Sequence, residues 1–282
     1  MSAQAQPQPR LGARANGHSN KSRESVRERG RERGRDEEDE GTSDGPRGDG
    51  WTFSRETRDG MKLWTRRAPR ASGARGNIRE VYVECEFADV EREEFWNAVC
   101  DLARYDEFVP FVSASEILRR EGLKTWCHAR VSTPVIKDRV YTIVITEHAQ
   151  REKGASVATW ASTEELEPPT PSGSTKMRAN CGSWDVRDLP RGKGIRVRYS
   201  LISDPGDGVP PWLLERMNQK TVPDVLRAFR ARALSGKSRP LPVVPSSNVF
   251  LVDVQRAFEC VRANARAFAR RALDRAAKAR DA

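Results

Sequence analysis

The stretch Ile195-Arg196-Val197-Arg198-Tyr199-Ser200-Leu201-Ile202-Ser203-Asp204-Pro205-Gly206-Asp207-Gly208-Val209-Pro210-Pro211-Trp212-Leu213 holds a strand, a break and the start of a helix. Ile195, Val197, Tyr199 and Leu201 alternate with Arg196 and Arg198, the period-two mark of a strand with one covered and one wet face. Asp204 to Gly208 breaks the pattern. Pro210 and Pro211 then open a helix expected to run to about Leu234. Trp212, Leu213, Met217, Val222, Leu226 and Phe229 give that helix an apolar stripe. Pro223 lies inside it, removes one backbone donor, and is expected to kink or split it.

Working outward toward the N-terminus, strands are expected over 114–120, 123–132, 138–148, 155–163, 174–186 and 193–203, joined by turns such as Glu121-Gly122 and Lys153-Gly154. A helix is expected over 90–104, with Asp89 as its N-cap. Before it come a short strand at Gly60 to Arg66 and a second at Ile78 to Phe87, in which Val81, Val83, Cys85 and Phe87 share a face. The order is strand, strand, helix, six strands, long helix. This is an α+β protein in which a curved antiparallel sheet needs a cover and the last helix is the only element long enough to provide it. That arrangement is a helix grip, and a gap left beneath the helix would be a ligand cavity.

Charge divides the rest of the chain. The formal net charge is +10 in 282 residues. Residues 1–50 carry 10 Lys/Arg and 10 Asp/Glu, with Leu11 and Val26 almost their only large apolar side chains. Such a segment cannot offset its ordering entropy and reads as a disordered, charge-balanced tail. Because its charges cancel locally, no nucleic-acid partner is expected. Residues 51–235 form the expected domain and 236–249 a Pro/Ser-rich linker. Residues 250–280 read as a basic amphipathic helix. The start of the chain lacks the apolar core of a signal peptide, and no stretch reaches the length of a membrane helix. Five scattered cysteines without a CxxC pair suggest reduced thiols, hence a cytoplasmic location. The Arg- and Ala-rich composition is associated with GC-rich bacterial genomes.

Three stretches carry a resemblance to a known family. Pro134-Val135-Ile136-Lys137-Asp138-Arg139-Val140-Tyr141, then Met177-Arg178-Ala179-Asn180-Cys181-Gly182 with Trp184, and finally Asp204 to Leu213 follow one another in the order and spacing of a START domain, the steroidogenic-acute-regulatory-related lipid-transfer module. The resemblance spans about 55–235. It implies an apolar cavity for one lipid, gated by the C-terminal helix and adjacent loops, with no covalent chemistry. Val140 stands where the family usually has Asp, and Ile145 where steroid binders often carry an Arg. Those departures shift the expected ligand from a sterol toward another lipid. The wider superfamily includes aromatases and cyclases, so an enzyme of that kind on the same scaffold is the alternative to a non-catalytic lipid binder.

The cavity residues expected from parity and from the resemblance are His128, Arg130, Arg139, Tyr141, Ile143, Trp160, Met177, Cys181, Tyr199, Trp212 and Met217. His128 and Arg130 share a strand face. Either they point inward toward a headgroup, or Cys127, Ala129 and Val131 do so and the pair faces outward. Arg139 shares parity with Tyr141, Ile143 and Ile145, which places it at a cavity end, where a ligand or a backbone turn could hold it. An enzyme would need a positioned acid or base, and His128 with Arg130 is the local candidate. The three histidines show no HxxH spacing, and the chain has no G-x-S-x-G, P-loop or G-x-G-x-x-G, so neither a metal nor a cofactor is expected. In the basic helix, Phe258, Arg262, Arg266, Phe268 and Arg270 would face an anionic membrane, with the protein peripheral there. Alternatively the apolar stripe packs on the domain and the arginines are solvated. The protein is expected to be a monomer with a lipid ligand as its partner.

Overall fold

The computed structural model describes residues 45–46, 50–69, 72, 74, 78–148 and 154–238. The expectations for the N-terminal tail (apart from Gly45, Pro46 and Gly50), for most of the linker and for the whole of 250–280 therefore lie outside the described residues.

Among the described residues, ten strands form one open sheet: β1 (Thr52–Glu56), β2 (Lys62–Arg67), β3 (Arg79–Phe87), β4 (Val112–Glu121), β5 (Lys124–Val131), β6 (Arg139–Glu147), β7 (Ala155–Ser162), β8 (Thr175–Lys176), β9 (Ala179–Asp188) and β10 (Ile195–Asp204). Their order across the sheet is β1-β2-β3-β10-β9-β7-β6-β5-β4, antiparallel throughout, with β8 lying parallel to β6 off this path. The helices are α1 (Arg92–Val99), α2 (Tyr105–Phe108) and α3 (Pro211–Leu234). This is the helix grip expected from the sequence.

Register explains how one face becomes the core. Tyr199 pairs with Trp184 and Val83, Ile145 with Trp160, and Ile143 with Cys127, so apolar residues of six strands fall on one side. Phe95 and Val99 of α1 and Val222, Leu226 and Phe229 of α3 pack against them in a single core cluster. The other side carries paired charges: Arg198 bonds Glu84, Arg196 bonds Glu86, and Arg66 bonds Glu80. That outer face is polar as expected but not uniformly wet. Asp185 is 2% exposed there and its carboxylate is held by Arg187.

Three local expectations change. The segment expected as one helix over 90–104 stops at Val99, passes through a 3-10 turn at Leu102–Arg104, and resumes as the single turn of α2. At that break Asp101 reaches Arg232 of α3 at 3.0 Å, a buried-end ion pair that Glu107 joins at 2.8 Å. Asp89 does not cap α1; its carboxylate pairs with Arg230 instead, and the cap position is Glu91. The strand expected over 174–186 is two strands, because the chain crosses from one neighbour to another. Met177 N–H donates to Val140 and Arg178 N–H to Asp204.

Pro223 does not divide α3, which continues through it as a single helix. A proline leaves the carbonyl four residues earlier without its donor. That carbonyl belongs to Gln219, and Arg55 of β1 donates to it at 2.6 Å. A side chain from the far edge of the sheet thus supplies the bond that the proline cannot.

Candidate functional site

Between the inner face of the sheet and the first part of α3 lies a pocket of about 190 Å³. Its aromatic wall is continuous. The Tyr199 ring lies 4.3 Å from that of Trp184 and stacks on Trp160 at 5.7 Å, and Trp184 meets Phe229 of α3 at 4.9 Å. Trp160 can lie flat because the residue opposite it in register is Gly182. A Cβ there would come within 2.0 Å of the Ser200 carbonyl oxygen and 2.4 Å of the Trp160 ring. The indole N–H of Trp160 donates to Asn180 Oδ1 at 2.9 Å. Because an indole nitrogen can only donate, this bond fixes the amide's orientation and leaves its NH₂ as a donor with no acceptor among the described residues.

Arg139 sits on the pocket wall, 5% exposed. Its Nε donates to Pro205 O at 2.8 Å, Nη1 to Lys137 O at 2.6 Å and Nη2 to Asp207 O at 3.1 Å. It therefore clasps the loop before β6 to the loop before α3, and burial pulls its pKa below the ordinary guanidinium value. Thr133 and Ile136 of the first loop and Pro205 of the second line the pocket together with Val109, Pro110 and Phe111. Ser132 N–H donates to Phe111 O, which joins the third loop to the first. Phe111 has φ 66°, a left-handed conformation uncommon for a large side chain. Val135, at 64% exposure, projects from the same rim loop.

Of the expected cavity residues, Arg139, Tyr141, Ile143, Trp160, Met177, Tyr199 and Met217 line this pocket. Burial pushes the Tyr141 and Tyr199 phenols well above their usual pKa. Four others are corrected. His128 and Arg130 lie on the outer face, because their strand partners Thr142 and Val140 do, while Cys127 belongs to the core. His128 Nδ1 is 2.8 Å from Thr142 Oγ1, and burial lowers its pKa. Cys181 also faces outward, into a small cluster with Ile78, Ala161 and Ile202, where burial pushes its thiol up to about 12. Trp212 is 61% exposed. It precedes Arg216 and Lys220 at helical spacing, and both of those are exposed too, so it belongs to the solvent face of α3. Phe258, Arg262, Arg266, Phe268 and Arg270 lie outside the described residues.

The pocket also uses residues that were not expected. Leu214, Asn218, Thr221 and Val225 complete the inner stripe of α3. Helical spacing from Met217 points to Leu214, Thr221 and Val225, but the polar ones do not look like cavity residues. Trp184, Ile145 and Leu201 follow from strand parity once the register is known. Tyr105 and the Val109-Pro110-Phe111 rim come from the broken helix, where no periodicity marks them.

Similar proteins agree with this architecture. The family model described as polyketide cyclase/dehydrase and lipid transport matches residues 89–230, half of the chain. Among solved structures, a STAR-related lipid transfer protein from Xanthomonas axonopodis is 20% identical, with a TM-score of 0.56 over 66% of this chain and 99% of that one. The human StAR-related lipid transfer protein 5 is 13% identical, with a TM-score of 0.58 over 66% and 87%. Human STARD10 is 13% identical, with a TM-score of 0.57 over 66% and 74%. At these identities the likeness is one of fold. No curated protein matches the chain by sequence. Core, covering helix and family model converge on the same segment, and the chain belongs to the polyketide cyclase/dehydrase and lipid transport family.

Proposed function

We propose that this protein binds one lipid in the pocket under α3, without covalent chemistry, and passes it between membranes. The observation that carries this reading is the composition of the wall: aromatic and aliphatic side chains with a few neutral polar groups and one arginine tied to backbone carbonyls, the usual make-up of a site for a hydrophobic molecule. The similarity in fold to lipid transfer proteins supports it. The family name also covers cyclases, which need an acid or base beside the substrate. The pair weighed for that role, His128 and Arg130, stands on the opposite face of the sheet. That placement favours binding over catalysis.

The test is what the purified protein carries. Native mass spectrometry of the wild-type protein should show about one hydrophobic molecule per chain, released by organic solvent. Met217→Trp places a larger ring in the pocket and should lower that occupancy at least tenfold while the far-ultraviolet circular dichroism is unchanged. A wild-type protein that is empty and takes up no lipid from vesicles would contradict the proposal, as would a folded variant with full occupancy.

A further inference from the structure

The polar groups on the wall narrow the ligand class. Tyr141 and Tyr199 both line the pocket, and neither phenol makes a hydrogen bond to another described residue. The two lie within electrostatic reach of each other. Asn180 adds an NH₂ that has no acceptor among the described residues, beside Trp160. These are neutral groups able to donate, set in a low-dielectric wall where an unmet donor is costly. Among the described lining residues Arg139 alone carries a formal charge, and each of its three nitrogens already donates to a backbone carbonyl. An ionised headgroup inside could be met only by the two N–H bonds left on this loop-bound guanidinium; anywhere else along the wall it would lie unpaired in a low-dielectric site. The volume, about 190 Å³, lies below the roughly 300–1,000 Å³ of common ligand clefts. One acyl chain or a compact ring system suits it better than two chains.

Resting on the reading of this pocket as a lipid site, we infer that its ligand is an uncharged, single-chain or ring lipid whose carbonyl, ester or hydroxyl oxygen accepts hydrogen bonds from Tyr141, Tyr199 and Asn180. A charged fatty acid or a two-chain phospholipid is selected against.

Three probes share one fluorescent chain: cis-parinaric acid methyl ester, cis-parinaric acid ionised at pH 8, and a phosphatidylcholine carrying one parinaroyl chain. Energy transfer from the pocket tryptophans Trp160 and Trp184 reports binding to the full-length protein. The ester should bind at least tenfold more tightly than either other probe. Tyr141→Phe with Tyr199→Phe, which keeps both rings, should weaken the ester about tenfold and leave the acid nearly unchanged. Acid or phosphatidylcholine binding as tightly as the ester would overturn this inference while leaving the lipid site intact. Ester binding untouched by the double substitution would overturn it too. No binding by any of the three would remove the lipid reading itself.

Discussion

Replacing Gly182 with alanine is expected to destabilise the protein by about 3 kcal/mol or more, at the upper end of what overpacking a core costs. The added carbon would meet the Ser200 carbonyl at 2.0 Å and the Trp160 ring at 2.4 Å. Backbone cannot swing aside as a long side chain can, so β9 and β10 would have to part where they pair Gly182 with Leu201. Trp160 would also leave its stack on Tyr199 and its bond to Asn180, so the pocket wall would break with the sheet. Urea denaturation measures the loss as a lower midpoint at unchanged slope. Alanine at Gly122, where nothing lies within 4 Å of an added carbon, meets no such contact. That position has φ +54°, so its substitution reports backbone strain without any core clash. A Gly182→Ala protein as stable as wild type would mean that Trp160 does not lie over this position.

Arg139→Met is expected to cost about 2–4 kcal/mol, because three charge-assisted bonds disappear and their carbonyl acceptors stay behind. Removing a buried cation recovers part of its desolvation cost, which keeps the effect below the sum of three bonds. The more telling readout is local. Amide hydrogen exchange should quicken in 132–138 and 204–210, the two loops the guanidinium ties together, and change little in α1. Arg227→Met is the control. Its partners Asp59 and Asp224 are 44% and 41% exposed, and surface ion pairs contribute about 0–1 kcal/mol. Equal effects at the two arginines would show that the Arg139 clasp is not what holds the two loops together.

The sheet and its covering helix were legible because their signals are local. Alternation in 195–201 and the break at Asp204 to Gly208 sit within a few residues of one another, and the strand ends fall close to where turns mark them. Features decided across the chain were not legible. The donor that makes Pro223 harmless is Arg55, 164 residues away. The break after Val99 serves an ion pair between Asp101 and Arg232, and Asp89 is drawn from the helix cap by Arg230. The same division runs through the site. Tyr141, Ile143 and Tyr199 follow from parity within apolar strands. His128 and Arg130 could not be assigned by parity alone, because both faces of β5 carry plausible residues and only its pairing with β6 decides between them. Cys181 misled because a second, smaller cluster buries the outer face at that point. Trp212 misled because its size suggested burial, whereas one residue of helix turns it about 100° from Leu213.

The central claim is that a hydrophobic molecule occupies the space between Trp160, Trp184 and α3. The methionine methyl groups test it directly. Met177 and Met217 line the pocket, whereas Met61 is fully buried in the core and is not among the lining residues. With ¹³C-methyl methionine, titration of a neutral single-chain lipid should shift or broaden the Met177 and Met217 signals in proportion to one bound molecule and leave Met61 in place. A saturable titration in which those two signals stay fixed would put the lipid elsewhere and contradict the account.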